Sequence, residues 1–214
     1  QGGGNARHQP QGTLGQAPPP WHRLSGGGEL PAGSIAPVMN WQDQSFTRLE
    51  AALAARAAVA VLPLGALEAH GPHLPVGTDI WIAEAMAGAC IERLGQEGAA
   101  AVLLPSLAYS PAPFAARHAG TLSIRPETLT ALIVDIGTAA ADRGIAVLAL
   151  ANAHFDPAQI AALRTAVEQL RQSGRLRVAF PDLTRRRLAE RLGAEFRSGA
   201  CHAAHPLREW ALWM

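Results

Sequence analysis

Lysine is missing from all 214 residues; the 18 basic side chains are arginines, set against 17 Asp and Glu for a net charge of +1. A chain this close to neutral offers no basic surface rich enough to grip a phosphate backbone, so no nucleic-acid partner is expected. There are two cysteines, Cys90 and Cys201. Far apart and forming no C-x-x-C pair, they fit a reducing compartment better than a disulfide scaffold, and the expected location is cytoplasmic. No run of about 18 uninterrupted apolar residues occurs. The N-terminus also lacks a basic start followed by an apolar stretch, so neither a membrane partner nor a signal peptide is expected. No G-x-G-x-x-G follows the first predicted strand, which removes a nucleotide-binding Rossmann domain.

What is present is a hydrophobic content of 49% in a chain of one-domain length, enough for a real core. Residues 1–38 stand apart: Gly, Pro, Gln and Ser dominate, no hydrophobic period runs through them, and the segment is expected to be disordered. Met39 follows at once and offers itself as the true start, with the preceding stretch being upstream sequence translated in error. From there "NWQDQSFTRLEAALAARAA" reads as an amphipathic opening helix.

The rest alternates. Ala58 to Gly65 is an apolar strand, followed by a helix capped by Thr78 or Asp79 and stopped by Gly95. Ala100 to Leu104 is a second strand, with a helix from near Pro126 to Gly144. "IAVLALAN" is a third, followed by a helix capped by Asp156, with Pro157 first and Gly174 last. "RLRVAF" then leads into "TRRRLAERLG", whose Arg185, Arg186 and Arg187 form its solvated start. Strands that are apolar throughout predict a mostly parallel sheet covered by helices on both faces, a three-layer α/β/α domain. Trp41, Trp81 and Tyr109 are read as core or interface residues, with Trp81 packing on the sheet.

Such a sheet binds ligands beyond the carboxyl ends of its strands. Glu68 and His70 fall just past the first strand; Asn152, His154 and Asp156 fall just past the third. Two clusters of ligand-type residues therefore arrive at one edge from distant parts of the chain. With Asp79 they supply two histidines and three carboxylates, a donor set suited to zinc, manganese or iron(II). Asp79 can bridge, so two divalent metal ions can be held. His73 is expected to orient a ligand by hydrogen bonding, and His118 is either a substrate contact or a loop residue. Cys201, next to His202, is discounted as a nucleophile because neighbours in sequence rarely point at each other.

The segment "EAHGPHLPVGTD" resembles the metal-binding signature of the creatininase family, creatinine amidohydrolase and its relatives. "AGTLSI" at 119–124 is similar to the family's Gly-Thr loop, "ANAHFD" to its Asn-Gly-His segment, and "SGACHA" at 198–203 to the start of its last motif. The resemblance implies a creatininase-like domain over 39–203, with Glu68, Asp79 and His154 on one metal and His70, Asp79 and Asp156 on the other. It further implies His202 as the catalytic histidine, Phe155, Ser198 and His118 against the substrate, and a homo-oligomer.

Asp156 stands where a glutamate is usual, and Ala153 where glycine is usual. After Ala203 the family pattern stops: Leu207 takes a glutamate's place, and 204–214 reads as a non-family tail, with the domain's C-terminal elements missing as a reading-frame slip would leave it. The implied activity is hydrolysis of a carbon-nitrogen amide bond, cyclic or linear, in a small-molecule amide. A bridging hydroxide attacks and His202 serves the leaving nitrogen. Without an aromatic residue at Ser198, creatinine is not the first choice of substrate. The alternative from another class is a catalytically inactive metal-binding remnant.

Overall fold

The computed structural model describes residues 39–54, 58–185 and 188. The expected disordered segment 1–38, the tail 204–214, nearly all of the helix after Thr184, and Ser198, Cys201, His202 and Leu207 lie outside the described residues.

Among the described residues five strands make one sheet: β1 (Met39–Asn40), β2 (Ala58–Leu64), β3 (Ala101–Leu103), β4 (Ile145–Asn152) and β5 (Arg177–Ala179). Their order is β1-β3-β2-β4-β5, and every registered pair is parallel. Four helices accompany them: α1 (Phe46–Ala54), α2 (Thr78–Gln96), α3 (Pro126–Asp142) and α4 (Pro157–Ser173).

Alternation along the two central strands shows that both faces are covered. Ala60, Leu62 and Leu64 of β2, with Leu148 and Leu150 of β4, pack with Leu129 and Ile133 of α3 and Leu163, Ala166 and Leu170 of α4. The intervening Val61 and Ala151 pack instead with Ala87 and Ile91 of α2. This is the expected three-layer α/β/α arrangement, and it explains why the strands are apolar at consecutive positions. The layers approach closely where α3 meets α4: a Cβ on Gly137 would lie 2.7 Å from Leu170 Cδ1.

Pro63 sits inside the most central strand, a position proline normally avoids. The odd-numbered main-chain groups of β2 face β3, as in the bond from Leu107 N to Pro63 O at 3.0 Å. Because β3 has already ended at Leu103, no strand partner is present to need a donor from Pro63.

Several local expectations are corrected. The stretch after Met39 is not one helix: Met39 and Asn40 pair with Val102 and Leu103 as an edge strand, and Trp41–Asp43 form a 3-10 turn. The helix begins only at Phe46, after Ser45 Oγ accepts the Arg48 amide at 3.4 Å. Neither Thr78 nor Asp79 caps α2. The cap position is Gly77, Thr78 Oγ1 donates to Pro75 O at 2.6 Å, and the Asp79 carboxylate is drawn elsewhere. That helix passes Gly95 and stops before Gly98, whose φ of +72° is the left-handed conformation glycine tolerates.

Trp81 does not pack on the sheet; it is 54% exposed. The buried face of α2 carries Asp79, Ala83, Ala87 and Ile91, and two residues from Asp79 is about 200° around a helix with 3.6 residues per turn. Trp41 does pack against the core, whereas Tyr109 is 56% exposed. Among the described residues no helix is long and apolar enough to cross a membrane.

Candidate metal centre

The sheet has a switch point between β2 and β4. From β2 the chain moves to one side by way of α2 on one face. From β3 it returns across β2 to β4, and α3 and α4 cover the other face. In such sheets the carboxyl ends of the strands at the switch point are where ligands bind, and Glu68, His154 and Asp156 follow β2 and β4 at that edge.

The loop after β2 is held by backbone bonds. Leu67 N donates to Ala108 O at 3.0 Å, Leu122 N to Leu67 O at 2.9 Å, and Glu68 N to Val76 O at 3.0 Å. Thr121 Oγ1 accepts the Ala69 amide at 3.0 Å, and Ser110 Oγ donates to Gly65 O at 2.6 Å. The Gly-Thr loop therefore braces the segment that carries Glu68. Gly120, with φ +88°, is required there, since a Cβ would also lie 2.8 Å from Val76 Cγ1.

Glu68, Asp79 and His154 are buried, and His70 is partly buried. Asp79 lies between the two imidazoles: its Oδ1 is 2.9 Å from His70 Nε2, and its Oδ2 is 3.0 Å from His154 Nδ1. Glu68 Oε1 is 3.2 Å from His154 Nδ1 and 3.9 Å from His70 Nε2. One ligand atom each from Glu68, His70 and Asp79 fits within 4.8 Å.

The opposite ring nitrogens fix the tautomers. His70 Nδ1 is 3.1 Å from Glu68 O, and His154 Nε2 is 2.8 Å from Pro111 O. A carbonyl can only accept, so each of these nitrogens carries a proton. In the neutral ring His70 Nε2 and His154 Nδ1 are then lone pairs, facing carboxylate oxygens that are also acceptors. Lone pairs at 3 Å from carboxylates need a cation among them, and an imidazole oriented by a backbone carbonyl is the usual condition of a metal-ligating histidine.

A proton can serve instead. Burial disfavours the charged form of His154, but the Asp79 and Glu68 carboxylates outweigh it and push the ring up to about 10. His70 is raised as well, by its bond to Asp79. Asp79 is opposed by burial, yet the two imidazoles hold it below the ordinary carboxylate range. Its Oδ2, although close to His154, has no hydrogen-bond partner among the described residues. An orphaned buried carboxylate oxygen amid two imidazoles and a second carboxylate fits a divalent cation.

The structure thus brings Glu68, His70, Asp79 and His154 together. Asp156 is buried too, but no contact joins it to them among the described residues, and it is engaged by amides: Oδ1 caps α4 by accepting Ala158 N at 2.8 Å, and Oδ2 is 3.4 Å from Phe114 N. The Asn152 amide is engaged elsewhere. Its Nδ2 donates to His154 O at 2.6 Å, and its Oδ1 accepts from Gln159 Nε2 at 3.1 Å. His73 is exposed; the orienting expected of it is done by the carbonyls of Glu68 and Pro111. Phe155 is 36% exposed next to Asp156. His118 lies in a turn, where its Nε2 accepts from Arg117 at 3.2 Å.

Sequence reasoning missed Pro111, Gln159 and Thr121. The signal for Gln159 was present, an Asp-x-x-Gln spacing across the start of α4. The carbonyl of Pro111 carries no side-chain signal at all.

Fold and site together define a three-layer α/β protein with a carboxylate–imidazole cluster at its switch point. The family model described as Creatininase, creatinine amidohydrolase, matches residues 42–206; the chain belongs to the creatininase family. A mycofactocin precursor peptide peptidase of Mycobacterium tuberculosis is 40% identical over 120 residues, 54% of this chain and 47% of the relative. The creatinine amidohydrolase of Pseudomonas putida is 31% identical over 137 residues, 61% and 51% of the two chains. The chain spans about half the length of these curated relatives. A solved creatininase described as the Mn form superposes with a TM-score of 0.59 at 26% identity, covering 74% of this chain and 65% of that one. A glutamate-to-glutamine mutant creatininase of Zn-Zn type gives 0.55 at 27% identity, covering 67% and 57%.

Proposed function

We propose that this protein hydrolyses a carbon-nitrogen amide bond at a centre of two divalent metal ions. The reading rests above all on Asp79, whose two oxygens each face a different imidazole nitrogen within 3.0 Å. One carboxylate so placed is suited to be shared by two ions. Glu68 and His154 would complete one site with it, His70 and Asp156 the other.

When bound, such a pair of ions polarises an amide carbonyl and makes a nucleophile of water near neutral pH. The protein's own residues do the rest. The Glu68 and Pro111 carbonyls keep His70 and His154 in the tautomers that leave the inner nitrogens free. His202 delivers a proton to the departing nitrogen, without which an amide nitrogen is a poor leaving group. Phe155, Ser198 and His118 are the residues assigned to the substrate.

Zn²⁺, Mn²⁺ and Fe²⁺ all suit this donor set; Mn and Zn forms are described for similar creatininases. The relatives act on a peptide in one case and on creatinine in the other, going by their names. The similarity to the peptidase is the greater, and a linear, peptide-type amide is the preferred substrate of this chain, which works as a homo-oligomer in the cytoplasm. Residues 39–203 form the working domain, 1–38 and 204–214 lying outside it.

The test is to load the purified protein with Mn²⁺ or Zn²⁺, count ions per chain, and assay a panel of peptides and cyclic amides. Two ions and hydrolysis that His202→Ala suppresses by at least a hundredfold are expected. Two ions with no hydrolysis of any amide would favour an inactive metal-binding protein; no ions would remove the reading.

A further inference from the structure

Beneath the cluster lies a buried polar chain that contains no metal ligand side chain. Gln159, fully buried on the first turn of α4, donates from Nε2 to Asn152 Oδ1 at 3.1 Å; Asn152, buried at the end of β4, donates from Nδ2 to the His154 carbonyl at 2.6 Å. The direction of this chain is forced. A carbonyl only accepts, so Asn152 must turn its NH₂ toward His154; its oxygen then faces Gln159 and can be met only by an NH₂.

The helix start makes the arrangement notable. Asp156 is the N-cap of α4 and Gln159 is three residues on, the spacing of a capping box, in which the Gln side chain would reach back to the amide of the cap residue. Here Gln159 is diverted to Asn152, and its Oε1 has no hydrogen-bond partner among the described residues. Local helix capping has been given up for a bond to the strand that carries His154.

We propose that Gln159 is a positioning residue for the metal centre, acting through the Asn152 amide to fix the main chain of His154. The inference rests on the metal reading above. The carbonyl that Asn152 holds belongs to the residue whose ring must keep Nδ1 toward Glu68 and Asp79 and Nε2 toward Pro111. Anchoring that main chain from below and the ring from the side leaves His154 one orientation. Neither Asp at 152 nor Glu at 159 can substitute when ionised, because each would set a carboxylate oxygen against an oxygen acceptor.

That last point separates positioning from ordinary helix capping. Gln159→Glu preserves size and is as good as Gln in a capping box, and better toward the positive end of a helix. Gln159→Leu removes both capabilities. If Gln159 positions His154, both variants weaken Mn²⁺ binding about 10- to 100-fold, the range typical of lost orienting partners, and Gln159→Glu does not rescue. If Gln159 only caps the helix, Gln159→Glu binds Mn²⁺ as the parent does, and the proposal is overturned.

The second measurement needs no metal. Melting temperatures of chelator-treated Asn152→Ala, Gln159→Leu and the double variant form a cycle. A relay predicts that the second substitution adds little to the first, and additive losses would reject it. Should the parent bind no Mn²⁺, the metal reading falls while this cycle still decides whether the relay exists.

Discussion

His154 Nδ1 and Asp79 Oδ2 stand 3.0 Å apart and yet Oδ2 is left without a hydrogen bond. The ring has already committed its other nitrogen to Pro111, so the two groups meet as acceptor against acceptor unless a cation lies between them. Protons and metal ions therefore compete for one place, and pH acts on the protein in opposite ways with and without metal.

In the metal-free protein the imidazolium is the stabilising form. Because His154 is raised from 6.5 to about 10 and His70 is raised too, their contribution is complete below about pH 6.5 and is lost as pH climbs toward 10. The melting temperature in chelator should fall across that window. With Mn²⁺ or Zn²⁺ the trend reverses: affinity rises with pH, and loading at pH 7.5 releases protons, measurable by calorimetry in buffers of different ionisation enthalpy. Metal binding without proton release would contradict the shared place.

Asp79→Ala should remove both ions at once, since one side chain serves both sites. Loss of a single ion, counted by elemental analysis of dialysed protein, would reject the bridging assignment.

Asp156 carries two duties that substitution can part. Asn is as good an N-cap as Asp, so Asp156→Asn should keep the stability of α4 while weakening one metal site. Asp156→Ala should lose both, with about 1 kcal/mol of stability from the cap. Equal metal binding in parent and Asp156→Asn would leave Asp156 a cap only.

Gly65 and Gly137 offer a matched pair. A Cβ on Gly65 would lie 2.6 Å from Ile80 N and 2.8 Å from Asp79 C, both backbone. Gly65→Ala must therefore push the first turn of α2, and Asp79 with it, away from β2. A loss of about 1–3 kcal/mol is expected, together with weaker metal binding. At Gly137 the Cβ would meet side-chain atoms of Leu170 rather than backbone. The strain there is partly offset by about 1 kcal/mol of helix propensity, and metal binding should not change. Denaturant titration and metal titration of both variants check the contrast.

The alternation of strands and helices was legible in the sequence because it rests on local chemistry: Pro126 and Pro157 open helices, Gly144 and Gly174 close them with positive φ, and consecutive apolar residues announce a strand buried on both faces. So was the edge of the sheet to which the segments carrying Glu68, His70 and His154 run, since parallel strands all deliver their next residues to one end. The short β1 was not, because two residues carry no period and exist as a strand only by pairing with β3. Trp81 was misjudged because residue type was weighed above its place on the α2 helix, which turns it opposite to Asp79.

The tautomers of His70 and His154, the diversion of Gln159 from a capping box to Asn152, and the burial of Asp79 between two rings were decided by tertiary structure alone. Each depends on groups brought together from segments far apart in the chain, as Pro111 and His154 are across 43 residues. Sequence names which side chains can donate or accept; only the packed fold determines which partner is within 3 Å and which lone pair is left over for a metal.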